Sequence, residues 1–476
     1  MIGWKTGAVV AGITIHLIVL LRAMLVEGRE PQARAAWLLL LLALPGIGTA
    51  LYVLFGEPWV SKRFRNRVAQ ASTQLAPFAP KFGLADGTIA PFENPFSTCA
   101  AVAGWSAAGG NEAAVAHNSD AAIDMIVADI EGATRAVHIS FYIWLGDHNG
   151  TKVADAVCRA ARRGVTCRIA ADAIGSHAFI RSAHWAAMRD AGAHLCATLA
   201  VPFGLAFLAG HRLDLRNHRK ITVIDGRITY CGSQNCADPA FLPKRRFAPW
   251  VDILIRYEGP VAHQADLIFA ALWTAETGED LRAATTVSVS PVHGGLTAIA
   301  VGTGPLSPRG AMTDIFAACL ASARQRIVIT TPYFAPDPPL LAAIVAAARR
   351  GVAVTIIFPR RNDSRIVGAI SRAYYPVLAK AGVRIFEYRG GLLHAKTLVI
   401  DGELALVGSS NMDRRSLDLN FENNILFRSA ELAAQVGAHQ DRWLADAIEI
   451  ERGGIAARSP ARRLLDNSLT IVGALF

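Results

Sequence analysis

The sequence predicts an α/β protein of two tandem, similar lobes behind an N-terminal transmembrane helical hairpin. Three observations lead there. Two long apolar stretches fill the first sixty residues. A strand–helix–strand pattern occurs twice. A polar motif also occurs twice, as "HRKITVIDG" from His218 and "HAKTLVIDG" from His394, each with Lys two and Asp seven residues after the His.

Residues 7–26 are apolar except for His16 and Arg22, and residues 35–55 carry no charge. Each is close to the roughly 20 residues that cross a bilayer core as a helix, so residues 1–60 are read as two transmembrane helices, with Pro45–Gly46 kinking the second. A second apolar segment directly after the first argues against a cleaved signal peptide. Lys62, Arg63, Arg65 and Arg67 follow the second segment. By the positive-inside rule they place the downstream chain in the cytoplasm, although Arg29 and Arg34 between the two segments pull the other way. The expected anchor is multi-pass.

Residues 61–115 are read as a linker or irregular lead-in, because 70–115 is rich in Ala, Pro, Gly and Ser without periodicity. The first lobe is assigned to 116–285. It carries the strand run "RAVHISFYIW" (135–144), a helical stretch ending "AARRGV" (160–165) and the strand run "TCRIAADA" (166–173). The second lobe, 286–476, repeats this with "QRIVITTPYF" (325–334), a stretch ending "AARRGV" (347–352) and "AVTIIFP" (353–359). Strand, helix, strand implies a parallel sheet with crossover helices, and two long copies imply a duplicated domain, joined within 276–296.

The net charge of +10 and pI near 9.5 favour anionic partners, whether nucleic acid or an acidic membrane surface. The 52% hydrophobic content fits membrane segments. Seven Cys (99, 158, 167, 196, 231, 236, 319) at scattered spacings suit free thiols in a reducing compartment and no zinc site.

Both motifs end in Asp-Gly before another apolar run, which signals a hairpin. Residues i and i+2 of a strand share a face, so His218 points with Lys220 and His394 with Lys396. Asp225 and Asp401, seven residues on, fall on the opposite face at the turn. They complete the motif's catalytic signature, but their spacing reads as structural. Imidazole serves as nucleophile or general acid/base, and Lys as a point charge for phosphate oxygens. The chain holds 40 Arg and 8 Lys, yet both motifs use Lys. Seventeen residues after each His stands an Asn, Asn235 in "GSQN" and Asn411 in "GSSN", preceded by Ser233 and Ser409. These four are candidate phosphate-binding groups. Asp252 ("WVD") and Glu422 ("NFE") are candidates to fix the imidazole tautomers.

The paired motifs resemble those of the phospholipase D superfamily. With "AWLLLLLALPGIGTALYVLFGE" and "HAKTLVIDGELALVGSSNMDRRSLDLNFENN", nearly the whole chain resembles the bacterial cardiolipin synthases. The resemblance implies two phospholipase D-like lobes related by a pseudo-twofold, with both motifs at one cleft. It implies transfer of a phosphatidyl group between two phosphatidylglycerol molecules through a phosphohistidine, giving cardiolipin and glycerol. His218 would attack and His394 would act as acid/base, although the near-symmetry of the motifs leaves their order open. Lys220, Lys396, Asn235 and Asn411 would hold the phosphate, with no cofactor and no metal. Phosphatidylglycerol and anionic membrane lipids are the expected partners, and the resemblance implies the bacterial inner (cytoplasmic) membrane, with the catalytic lobes facing the cytoplasm. No nucleic acid is expected, although a basic pI would suit a nuclease of the same superfamily. A hydrolytic, membrane-anchored phospholipase D shares every catalytic residue and stays open, as does phosphatidylethanolamine as the second lipid. The apolar stretches 201–210 and 241–250 are read either as lipid contacts or as loops buried between the lobes. Nothing in the sequence sets an oligomeric state.

Overall fold

The computed structural model describes residues 2–27, 29, 31–57, 60–78, 90–200, 214–282, 291–451, 453 and 459–473. The first apolar segment forms α1 (Ile2–Leu25), about 36 Å long at 1.5 Å per residue. Its Val9, Val10, Ile13, Leu17 and Leu21 are exposed, as suits a helix surrounded by lipid.

The second segment is not one membrane-long helix. It forms α2 (Pro31–Ala43) and α3 (Pro45–Phe55), which run antiparallel. Trp37 meets Tyr52 edge-on at 5.2 Å, and Gly48 lies so close to Leu40 that a Cβ there would come within 2.6 Å of its carbonyl oxygen. Leu44 precedes a proline and so leaves the helical region, with φ −135° and ψ 70°, and Pro45 then starts a new helix. The residue pair expected to kink the helix instead reverses it. At about 20 and 17 Å, neither α2 nor α3 reaches across a core of roughly 30 Å. Among the described residues, α1 is the one helix long and apolar enough to cross a membrane. His16 Nδ1 lies 2.8 Å from Thr49 Oγ1, and Arg22 pairs with Glu57 at 2.7 Å. So α3 runs parallel to α1, and both emerge on one side, facing the rest of the chain.

The lead-in is more ordered than its composition predicts. Lys62–Leu75 is a helix packed on the helix Pro260–Thr277, and Ala108–Val115 is a strand. The strand sequence "AGGNEAAV" has weak β propensity. It is extended because it is paired on both edges, where tertiary context overrides propensity.

Among the described residues that remain, the main element is a fifteen-stranded sheet, beside two short two-stranded ones. The first half supplies β1 (Ala108–Val115), β2 (Ala136–Phe141), β3 (Thr166–Asp172), β4 (His194–Thr198), β5 (Ile221–Ile224), β6 (Ile228–Gly232) and β7 (Leu254–Glu258). The second supplies β8 (Leu296–Thr303), β9 (Arg326–Thr330), β10 (Ala353–Pro359), β11 (Arg384–Tyr388), β12 (Thr397–Ile400), β13 (Leu404–Gly408), β14 (Glu422–Arg428) and β15 (Ala447–Glu449). From the centre outward, one half reads β1-β7-β6-β5-β2-β3-β4 and the other β8-β14-β13-β12-β9-β10-β11-β15, joined edge to edge where β1 pairs antiparallel with β8. Apart from β15 the two orders are equivalent, as a duplicated α/β unit requires. β2–β3 and β9–β10 are parallel pairs linked by the helices His148–Arg162 and Pro338–Arg349, which are the two predicted strand–helix–strand units.

Both motif hairpins close through an Asp-Gly turn. Asp225 and Gly226 have φ +54° and +67°, and Asp401 and Gly402 have +52° and +71°. A tight turn with positive φ at both central residues matches the strand twist, and Asp and Gly tolerate it.

Candidate active site

Each motif His is placed by a backbone clamp from the other lobe. The His218 amide donates to the Phe421 carbonyl at 2.9 Å, and the Phe421 amide donates to the Arg216 carbonyl at 2.9 Å. The next residue, Glu422, thereby lands on His218, its oxygens 2.9 and 3.0 Å from Nδ1. The second lobe mirrors this. The His394 and Ala395 amides donate to the Val251 carbonyl at 2.8 and 2.9 Å, and Asp252 meets His394 Nδ1 at 2.7 Å. The orienting carboxylates are thus exchanged, with Glu422 of the second lobe holding His218 of the first and Asp252 of the first holding His394 of the second.

These carboxylates are buried and surrounded by donors. Glu422 accepts from the Ser409 hydroxyl, from Ser416 Oγ at 2.8 Å and from Asn420 Nδ2 at 3.3 Å, besides His218. Asp252 accepts from Ser233 Oγ at 2.6 Å. Burial works to raise both carboxyls. His394, Lys396 and Ser233 outweigh it and hold Asp252 at about 2, while His218, Lys220 and Ser409 bring Glu422 below its ordinary value. Ionised acceptors fix each ring with Nδ1–H toward the carboxylate and leave the Nε2 lone pair free. Burial, with Lys220 and Lys396 nearby, lowers His218 to about 4 against the pull of Glu422. His394 is lowered too, by burial and Lys396 against Asp252. His218 is therefore a neutral imidazole at pH 7.

Both Lys side chains are buried and turn back on their own motif, Lys220 Nζ donating to the His218 carbonyl at 2.7 Å and Lys396 Nζ to that of His394 at 2.5 Å. Burial brings Lys220 down to about 8 and Lys396 to about 7. Each Lys depresses both His rings, so the two motifs share one cleft. A phosphodiester bound beside the two ammonium groups would favour their charged forms.

Ser233 and Ser409, expected from sequence to bind phosphate, give their hydroxyl protons to the carboxylates Asp252 and Glu422. Ser233 Oγ also accepts from the Ile253 amide at 3.1 Å, and Ser409 Oγ from the Asn423 amide at 2.9 Å, so each hydroxyl's one proton is committed to a carboxylate. Asn235 Oδ1 accepts from the Ile143 amide at 3.2 Å. Asn411 Oδ1 is buried without a hydrogen-bond partner among the described residues. Asp225 and Asp401, grouped with the catalytic signature, stand at the distant hairpin turns. Asp225 accepts from the amides of Thr134, Arg135 and Ala136 and from the Thr134 hydroxyl. Asp401 accepts from the amides of Arg324, Gln325 and Arg326. They tie each hairpin to the strand beside it, as their spacing suggested.

Sequence reasoning missed the aromatic walls. Tyr142 packs on the His218 ring at 4.9 Å and under Lys220 at 5.6 Å. Trp250 and Tyr333 pack on His394 at 4.7 and 6.5 Å. Tyr142 and Tyr333 follow the equivalent strands β2 and β9 but stand one position out of register with each other, so comparing "HISFYIW" with "VITTPYF" does not pair them. Asp413 was missed as well. It is buried beside the second motif, and burial pushes it up to about 6. The stretch 241–250 meets His394 through Trp250, while 242–246 and Pro249 are exposed. Phe241 stacks on Trp250 at 3.9 Å, both are buried with Phe247, and Leu242 points outward. The stretch 201–210 lies outside the described residues.

The family model described as "Cardiolipin synthase, PLD-like domain" matches residues 126–273 and 316–443, and "Phospholipase D-nuclease N-terminal" matches 14–57. Cardiolipin synthase A of Citrobacter koseri and that of Escherichia fergusonii are each 37% identical over 444 residues, covering 91% of this chain and 90% of theirs. Among solved structures, phosphatidylserine synthase of Haemophilus influenzae aligns with a TM-score of 0.56 at 15% identity, over 81% of this chain and all of that one, which shows a shared fold. With two equivalent lobes, two clamped His–Lys motifs and these matches, the chain belongs to the cardiolipin synthase family of phospholipase D-like proteins.

Proposed function

We propose that the protein is a phosphatidyltransferase that joins two phosphatidylglycerol molecules into cardiolipin and glycerol through a phosphohistidine. One observation carries this reading: two imidazoles, each tied through Nδ1 to a buried carboxylate of the other lobe, flank one pair of buried ammonium groups. His218 Nε2 attacks the phosphorus of the first lipid. The N–P bond forms, the bond to the glycerol oxygen breaks, and that oxygen takes a proton from His394. Phosphate charge between Lys220 and Lys396 favours the protonated His394 that this step needs. A primary hydroxyl of the second lipid then gives its proton to His394 and attacks phosphorus, releasing His218. Lys220, Lys396, Asn235 and Asn411 donate to the phosphate oxygens, where fixed donors act most strongly. Tyr142, Tyr333, Trp250 and Phe241 keep water from the intermediate.

The membrane arrangement goes with it. α1 crosses the bilayer once, and α2–α3 dips in and returns. Arg22, Arg29, Arg34, Lys62, Arg63, Arg65 and Arg67 then all lie on the side of the lobes, with Lys5 on the other. The opposition between Arg29/Arg34 and the later cluster disappears, and the positive-inside rule puts the lobes in the cytoplasm.

The test is incubation of the full chain, in detergent and with a chelator, with head-group- and acyl-labelled phosphatidylglycerol. Cardiolipin with stoichiometric glycerol is expected. Phosphatidic acid without cardiolipin would replace the transferase by a hydrolase. Added phosphatidylethanolamine, if it lowers glycerol release per cardiolipin, would identify a second donor.

A further inference from the structure

A cavity of about 260 Å³ lies where the membrane helices meet the second lobe, outside the reacting cleft. Ala33, Trp37, Phe55 and Leu417 form its apolar walls, and Arg29, Arg309, Arg414 and Asp418 its charged ones. Arg29 is held by the Tyr52 hydroxyl at 3.2 Å and by the Gly56 carbonyl, and Arg309 by the Glu27 carbonyl at 3.4 Å. The oxygens that hold these cations are neutral, and Glu57, which accepts from the Tyr52 hydroxyl at 3.0 Å, is paired with Arg22. Asp418, 3.4 Å from Arg414, is the cavity's one carboxylate among the described residues, which leaves an excess of two positive charges.

The place suits an amphiphile. Arg29 stands in the connection between α1 and α2, where the apolar part of α1 ends. From it the exposed Leu39, Leu42, Ile47 and Val53 of α2 and α3 continue toward the bilayer interior. The floor of the cavity is the turn 414–419. Its Ser416, with Asn420 just beyond, bonds Glu422, the carboxylate that orients His218. A ligand on this floor touches the same turn that sets the geometry of the first His.

We propose that this cavity is a second lipid site, for the head group of a non-reacting anionic phospholipid. Its phosphodiester is held by Arg29, Arg309 and Arg414, its head-group hydroxyl bonds Asp418, and its tails lie along α2 and α3. The site deepens the transferase reading in one respect only, by coupling membrane composition to the cleft; binding itself does not depend on turnover.

The experiment uses the full chain with His218→Ala, so that no lipid is consumed, and counts by native mass spectrometry the phosphatidylglycerol and phosphatidylcholine retained from mixed micelles. Phosphatidylglycerol should be retained in preference to phosphatidylcholine and should resist millimolar inorganic phosphate. Arg309→Gln combined with Arg29→Gln should weaken retention of one phosphatidylglycerol by about tenfold or more, the scale of lost charged hydrogen bonds. Asp418→Asn should weaken phosphatidylglycerol but not phosphatidic acid, which lacks the hydroxyl, and it covers the case of an arginine variant that fails to fold. Unchanged phosphatidylglycerol retention in both variants, equal retention of phosphatidylcholine, or displacement by free phosphate would each overturn the site. None of these would touch the transfer reaction, which is read separately as cardiolipin formation by the chain with His218 intact.

Discussion

Glu422→Gln tests the exchange of carboxylates between lobes. Glu422 is fully buried and receives four donors, from His218, Ser409, Ser416 and Asn420. A carboxylate has about four acceptor positions, so its capacity is filled. Glutamine keeps the shape but offers one oxygen, and its NH₂ group opposes the remaining donors. The larger effect is electrostatic. When His218 bonds phosphorus while keeping Nδ1–H, its ring becomes cationic. With contacts of 2.9 and 3.0 Å, the charge centres stand roughly 4 Å apart, worth about 4 kcal/mol at an effective dielectric of about 20. At 1.36 kcal/mol per decade this is about a thousandfold in rate. Lipid binding does not use this charge, so kcat falls while KM stays within a few-fold. Initial rates of cardiolipin formation in mixed micelles, with phosphoenzyme trapped by an alkaline quench, measure both. A variant within tenfold of wild-type kcat would show that His218 does not rely on the second lobe's carboxylate.

The other predictions concern roles, charge and topology. With phosphatidyl p-nitrophenol, whose leaving group needs no acid, His394→Ala should regain a burst of p-nitrophenolate while His218→Ala should not; the opposite pattern would exchange their roles. Lys396 at about 7 and Lys220 at about 8 lose protons as the pH rises from 7 to 9, so kcat/KM, which reports the free enzyme, should fall over that range while kcat, with phosphate bound, falls less. A flat kcat/KM up to pH 9 would mean that both ammonium groups stay charged without lipid. Gly46→Cys, at the reversal between α2 and α3 where a Cβ meets nothing within 4 Å, should resist impermeant thiol reagents from outside intact cells, as should Lys62→Cys, whereas Lys5→Cys should react; labelling of Gly46→Cys from outside would restore a second full span.

What could be read from the sequence follows the range of the interactions. The Asp-Gly turns and the shared face of His and Lys are local, fixed by strand alternation and by which residues accept positive φ, so the place of Asp225 and Asp401 at the turns could be read from spacing alone. The repeated strand–helix–strand units were legible for the same reason. The reversal at Pro45 was not, because hydropathy summed along 35–55 is the same for one long helix and two short ones. The deciding signal, Gly48 opposite Leu40, needs the pairing to be known. β1 was hidden because its extended conformation comes from partners far along the chain, β7 and β8.

The exchanged carboxylates were the least legible feature, and they are the most informative about how the duplication works. Asp252 and Glu422 were recognisable as candidates, but which His each serves depends on contacts between residues 142 and 204 positions apart. The natural guess gives each lobe its own pair. Two short bridges decide otherwise, Asn217 with Phe421 and Leu393 with Val251. Each carboxylate follows directly after a clamped residue, so neither can reach a His unless the lobes have joined. A lobe alone would carry a Lys and a His with an unfixed tautomer, and its carboxylate would be left without the ring that helps keep it ionised. The cleft is therefore completed by the same contacts that hold the halves together. A substitution that loosens the β1–β8 seam should reach both imidazoles at once, even where it touches neither motif.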